Sequence, residues 1–301
     1  MHKINMAIVC IVSRNGYGPA VMLGTILEIL STLLPKVKYV FKTPSAERFD
    51  FVKRNYCKNL CYLPTYQIRT QDIVLHIIDP RNIPSHGKDI FIDNMGDYWN
   101  YLFEHNLFLE RLNLFKRGII NSNYYFLSSL LLKKTPWGNK YNRVLFVDNR
   151  ITQTKTTSNG GLVVVGSYKT KNLLWDKKYL SHLKPLFCKE RNEFVNIIAK
   201  SKMIITHPGM CSISESLYLN KPYVYMHPAN LEQNLNVDII KKYDLGLIIQ
   251  DSIIKSGQTI DLEFESKKQL FIKNIQRFKK QRGLYKEMQL FNFLKGVVDD
   301  I

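Results

Sequence analysis

The chain is poor in the features that mark several protein classes. It has only five cysteines in 301 residues: Cys10, Cys57, Cys61, Cys188 and Cys211. An odd number, with Cys10 inside an apolar run, argues against a disulfide framework and for a reducing compartment. Cys57 and Cys61 stand four positions apart with no second Cys/His pair nearby, so the spacing of a zinc site is missing. An Asp-x-Asp metal signature is missing too, and the expectation is no cofactor and no metal. No apolar run reaches the roughly 20 residues that span a bilayer. The longest, residues 20–34, carries Glu28. Residues 6–12 are apolar but run into Ser13-Arg14-Asn15-Gly16, without the small-residue cleavage site of a secretory signal. The expected location is the cytoplasm, with peripheral association at the inner face of the membrane as an option.

Acid is also scarce, locally and overall. Residues 111–143 hold seven Lys/Arg and no acid, and residues 267–286 hold eight and no acid. Overall, 43 Lys+Arg against 25 Asp+Glu give a net charge of +18, spread as +9 on either side of residue 150. Such a surface attracts phosphates, nucleic acid or an acidic membrane. No zinc finger, RNA-recognition motif or recognition helix stands out, so nucleic acid is the weakest of these partners. The basic stretches read either as solvated helix faces or as docking surfaces for an anionic or lipid-linked acceptor. With 45% hydrophobic and 23% charged residues, disorder and low complexity are excluded.

What is present is a repeated β–α pattern. Residues 6–12 (MAIVCIV) read as a buried strand, followed by the loop Asn15-Gly16-Tyr17-Gly18-Pro19 and a helix over 20–34. Residues 38–41, 73–78 and 90–93 read as further strands, and 98–115 and 124–132 as helices. The segment 149–160 (NRITQTKTTSNG) is nearly devoid of large apolar residues and reads as a linker. After it the pattern restarts, with strands over 161–166, 203–206, 223–226 and 246–249. Helices are expected over 193–200, 212–219 and 231–243, and a long helix or helix pair over 266–298. Short, nearly all-apolar strands between helices imply parallel sheets covered on both faces. The expected architecture is α/β, with two Rossmann-like domains, 1–150 and 151–301, facing a cleft where ligands meet the carboxyl ends of the strands.

Chemistry concentrates in residues 203–249. A strand ends at His207-Pro208-Gly209, and Ser212 and Glu215 follow where a helix should begin. Ser-x-x-Glu is a capping box in its own right. A helix start with a glycine and a hydroxyl is also a ready anion site. Proline follows at Pro222 and Pro228, then Glu232, Gln233 and Asn236. This series, in order and at fitting spacing, resembles the donor-binding signature of GT-B glycosyltransferases. The likeness is to the UDP-glycosyltransferases and the lipid II-forming N-acetylglucosaminyltransferases. Gly161–Ser167 (GLVVVGS) is similar to the first strand of their donor domain. The resemblance implies that Ser167 and the backbone at Gly209 and Ser212 hold a diphosphate, with His207 close by. It implies Glu215 on the ribose hydroxyls, Glu232 and Gln233 on the donor sugar, and the stretch around Phe187 against the base. Gly16 and Gly18 would let backbone approach the diphosphate.

The resemblance departs at residue 19. Members often carry a histidine after the second glycine as general base, and this chain has Pro19. Replacement carboxylates are Asp79, Asp93 and Asp97, with His86 as the imidazole option. Asp93 and Asp97 stand out for the polar and aromatic residues around them, although either also fits a turn or cap. The implied activity is inverting, metal-independent transfer of a sugar from a nucleotide-diphosphate donor, most simply a UDP-sugar. A nucleotide-sugar hydrolase and a non-catalytic nucleotide-sugar or partner-binding protein are the alternatives.

Overall fold

A computed structural model describes residues 6–13, 18–93, 95–127, 147–152, 154–155, 163–165, 184–185, 190–249, 257–282 and 289–300. The chain divides into two compact units, residues 1–146 with 284–301, and residues 147–283.

The first unit is built on a six-stranded, all-parallel sheet. Its elements are β1 (Ala7–Val12), α1 (Gly18–Leu33), β2 (Lys38–Phe41), α2 (Ala46–Asn55), β3 (Leu60–Tyr62), β4 (Ile73–Ile77), β5 (Lys88–Asp93), α3 (Gly96–Glu104), α4 (Leu109–Asn121) and β6 (Tyr124–Leu127). The strand order is β3-β2-β1-β4-β5-β6. The order reverses between β1 and β4, and their carboxyl ends form the switch point where such sheets bind ligands. Every residue of β1 and β4 is buried, which is why both read as unbroken apolar runs. Pro19 falls in the first turn of α1, where its missing N–H has no intrahelical partner to lose. Gly24 lets α1 approach the Tyr56 ring: a Cβ there would lie 2.3 Å from ring carbons.

Two sequence expectations change in this unit. The helix expected over 98–115 is two helices, broken where Asn106 and Phe108 take left-handed conformations. The helix expected over 124–132 begins instead as strand β6. Tyr125, Phe126 and Leu127 are buried and pair with Phe91, Ile92 and Asp93, and aromatic residues suit a strand against a sheet neighbour.

The second unit contains α5 (Asn149–Thr152), β7 (Val163–Val165), β8 (Lys184–Pro185), α6 (Arg191–Lys200), β9 (Ile204–Thr206), α7 (Met210–Leu219), β10 (Val224–Tyr225), α8 (Leu231–Tyr243), β11 (Leu247–Ile248) and α9 (Gly257–Arg282). Its parallel sheet has the order β11-β10-β9-β7-β8. Here the switch point lies between β7 and β9. The expected terminal helix is two helices, and they part company. α9 buries Phe264 and Phe271 in the core of the second unit. α10 (Gln289–Asp299) sends Leu294 and Val297 into the core of the first, beside residues of α1. The C-terminal segment, assigned from sequence to domain 151–301, thus belongs to the first unit. Its apolar face matches that core, a pairing that chain order does not reveal.

The basic stretch on α9 is partly matched by charge. Lys267 pairs with Glu263, Lys268 with Glu265, and Lys202 of the preceding fold with Asp261 and Glu265. No described helix is long and apolar enough to cross a membrane.

Candidate nucleotide-sugar site

The site grows from the carboxyl end of β9. His207, Pro208 and Gly209 leave the strand, and α7 starts at Met210 with Gly209 as its N-cap residue. The helix therefore begins two residues before the Ser212 start that the sequence suggested. Ser212 lies in the first turn and Glu215 in the second, so the Ser212/Glu215 capping box does not form. Ser212 Oγ instead lies 3.4 Å from Thr206 Oγ1. The N–H groups of the first turn, Met210 to Ser212, are those a helix leaves without intrahelical acceptors. Beside Gly209 the described residues leave room: a Cβ there would meet none of their atoms within 4 Å. Gly209 has φ −79°, which any residue adopts, so neither strain nor crowding by the described residues demands glycine here.

Two neighbours fix this turn. Asn236 of α8 is buried and donates Nδ2 to the Pro208 carbonyl at 2.8 Å. The Gly209 N–H donates to the His207 carbonyl at 2.8 Å. His207 itself is buried at 8% exposure. The start of α8 carries a reciprocal cap: Asn230 Oδ1 accepts from Gln233 N at 2.9 Å, and Gln233 Oε1 accepts from Ala229 N at 2.8 Å. Gln233, expected on the donor sugar, thus has its carbonyl oxygen committed to the cap. Its amide nitrogen is the part with donors to offer. Glu232 lies half-buried in the same first turn.

Glu215 holds a partner that the sequence did not announce. Arg191, the first residue of α6, donates Nη2 to Glu215 Oε1 and Nε to Asp148 Oδ2, the latter at 2.7 Å. All three are buried. The arginine bridges two carboxylates, and its guanidinium also lies 4.6 Å from the Phe194 ring centre. Burial pushes the Glu215 carboxyl above its usual range, and the Arg191 charge opposes that shift. Burial, then the charge of Glu215, push the Cys211 thiol up to about 12, with Glu232 adding to the same field. Glu215 and Glu232 therefore act on one locality at the start of α7. Arg191 carried no sequence signal: a lone arginine opening a short amphipathic helix looks like any surface residue. Asp148 sits directly before the expected linker.

Among the remaining expected residues, Gly18 opens α1 at the carboxyl side of β1. Gly16, Ser167 and Phe187 lie outside the described residues. Asp93 does not fit a general base. It is fully buried, Oδ1 accepts from Met95 N at 2.9 Å, and Oδ2 accepts from Trp99 Nε1 at 2.7 Å. It locks the turn from β5 into α3, and its charge helps hold the buried Tyr125 phenol protonated. Asp97 lies in the first turn of α3 and is partly exposed. Asp79 is buried and engaged by Arg81 through both oxygens, while His86 is exposed. No group of three or more described His, Cys, Asp or Glu is arranged to hold a metal ion.

No protein-family model matches the sequence, and no curated protein matches it. Solved structures do match in fold. A UDP-glucose: anthocyanidin 3-O-glucosyltransferase in complex with UDP is 11% identical with a TM-score of 0.63, over 100% of both chains. Medicago truncatula UGT71G1 complexed with UDP-glucose is 11% identical with a TM-score of 0.62, over 99% of both chains. CalG4, the calicheamicin glycosyltransferase, is 10% identical with a TM-score of 0.55, covering 93% of this chain and 94% of its own. With two parallel α/β units matched along almost their whole length, this chain has the GT-B glycosyltransferase fold.

Proposed function

We propose that the protein transfers a sugar from a nucleotide-diphosphate donor, a UDP-sugar, to an acceptor hydroxyl, with inversion and without a metal. The observation that carries this is the start of α7 after β9, at the β7/β9 switch point, where the described residues leave room beside Gly209. The N–H groups that a helix start leaves without intrahelical acceptors favour a diphosphate there. In this reading Glu215, oriented by Arg191, accepts from the ribose hydroxyls. His207 lines the diphosphate, and Glu232 with the Gln233 amide nitrogen meets the sugar. The matched structures in complex with UDP and UDP-glucose support the donor class.

The chemistry asked of these residues is modest. Asp97 takes the proton of the acceptor hydroxyl, and the resulting oxygen nucleophile attacks the anomeric carbon on the face opposite the diphosphate. The carbon–oxygen bond to the diphosphate breaks with its electron pair. The charge that develops on the leaving diphosphate is stabilised by the N–H groups and positive end of α7. The products are the glycoside and the nucleoside diphosphate.

Titration calorimetry with UDP tests the donor half. Wild type binds, and Glu215→Gln loses the charged acceptors for ribose and weakens binding about tenfold or more, since hydrogen bonds to a charged group are worth ~1.5–3 kcal/mol. Equal affinity in both proteins refutes the assignment. The full commitment of Asp93 to Met95 and Trp99 favours a second reading, donor binding without transfer. Product analysis with UDP-sugars separates the two: a glycoside formed in an Asp97-dependent manner supports transfer.

A further inference from the structure

A cavity of about 460 Å³ lies within the first unit, and none of the described residues assigned to the donor lines it. It is lined by Lys42, Arg81, Arg117 and His86, with Ile68, Ile83 and Pro84 as apolar wall. These come from separate parts of the chain: Lys42 directly after β2, Ile68 in the segment before β4, 81–86 between β4 and β5, and Arg117 on α4. The sheet face nearby carries Val9, Ile11, Val40 and Val74, with Ile68 packed on it.

The charge of this cavity is one-sided. Among the described residues, three permanent cations line it and no carboxylate does. Of the acids beside the lining, Asp89 is buried and engaged by His76 and the Ser85 N–H, and Asp79 is spent on one edge of Arg81 through Nε and Nη2, which leaves the Nη1 end of that guanidinium. Lys42 gives one of its three donors to the Tyr66 carbonyl. Arg117 is exposed and has no ion pair with a described carboxylate. Holding like charges in one concavity is unfavourable, and low-dielectric walls focus their field on an incoming anion. Guanidinium groups suit the oxygens of phosphate, which they can meet by two parallel bonds. The volume falls within the roughly 300–1,000 Å³ of small-molecule sites and exceeds what a bare phosphate ion needs.

We propose that this cavity binds a phosphate monoester: the phosphoryl group against Arg117, Lys42 and Arg81, and the organic part against Ile68, Ile83 and Pro84. The inference is independent of glycosyl transfer. It also gives one basic stretch a definite use, since Arg117 is the described residue of the acid-free segment 111–143 that lines the cavity.

The test is titration calorimetry of the full chain at low ionic strength with glycerol 3-phosphate and with inorganic phosphate. Sedimentation with phosphatidylcholine vesicles, with and without phosphatidic acid, runs in parallel. Arg117→Glu is the probing variant. Arg81 is left in place because Asp79 depends on it. Lys36→Glu, an exposed reversal of the same size in the same unit, controls for net charge. The expected result is 1:1 binding of glycerol 3-phosphate, tighter than inorganic phosphate, weakened tenfold or more by Arg117→Glu and less than twofold by Lys36→Glu. Arg117-dependent binding to phosphatidic acid vesicles alone assigns the same chemistry to a lipid headgroup. Equal losses in the two variants, or no Arg117-dependent binding to any of these probes, overturn the proposal.

Discussion

Replacing Arg191 with methionine tests the centre of the proposed donor site. Methionine keeps much of the volume and the contact with Phe194 but removes the charge between Asp148 and Glu215. Both carboxylates are buried, with side-chain exposures of 0% and 8%. Breaking a buried ion pair by deleting one partner costs ~3–5 kcal/mol, because the remaining charge loses its compensation. For a unit of this size, 1 kcal/mol moves Tm by about 3 °C, so a fall of roughly 10–15 °C is expected.

The pH dependence identifies the cause. Glu215 already has a raised carboxyl because it is buried, and losing Arg191 raises it further. A carboxyl raised in the folded state holds its proton there while the unfolded chain releases it. Stability therefore falls as pH rises past the ordinary carboxylate range and recovers toward acid. The deficit of Arg191→Met against wild type should be largest near neutrality and shrink as pH approaches about 4, the ordinary glutamate value. Chemical denaturation across pH 4–8 measures it. A loss under about 1 kcal/mol, or a deficit that does not change with pH, refutes the claim that Arg191 neutralises buried carboxylates.

Other substitutions separate roles that sequence alone confuses. Asp93→Asn should lower stability by about 1–3 kcal/mol, since one oxygen cannot serve both Met95 N and Trp99 Nε1. Asp97→Asn should leave Tm nearly unchanged and cut kcat by roughly 10²–10⁴; thermal melts and a transfer assay on both variants compare them. Gly24→Ala should destabilise by about 1–3 kcal/mol through the Tyr56 ring, whereas Gly209→Ala should melt like wild type and bind UDP more weakly. The Lys221 ammonium donates to the carbonyls of Ile198 and Ala199, and burial lowers it to about 8. A lowered lysine penalises the folded state while protonated, so wild-type stability should rise from about pH 8 toward the ordinary lysine value. Lys221→Met should abolish that rise in denaturant titrations.

Much of the architecture was written in local pattern. Apolar runs such as Ala7–Val12 and Ile73–Ile77 are buried on both faces, so they announce parallel strands without help from distant residues. The spacing from His207 to Asn236 likewise placed a strand, a helix start and a second helix in the right order. Local pattern failed where a partner from elsewhere decided the outcome. Tyr124–Leu127 became a strand because β5 offered it an edge, and the C-terminal segment joined the first unit because its Leu294 and Val297 fit that core. Ser212 and Glu215 satisfied the spacing of a capping box, yet the helix starts at Met210 and Glu215 turns to Arg191.

The sequence by itself determined two parallel α/β units and a glycine-led helix start suited to a diphosphate, because apolar periodicity and short-range spacing are local properties. Only the tertiary structure decided which carboxylates are available. Asp93 is consumed by Trp99, Asp79 by Arg81, and Glu215 is shared with an arginine 24 residues earlier. Burial and pairing depend on what the rest of the chain brings alongside, and no spacing along the chain encodes that.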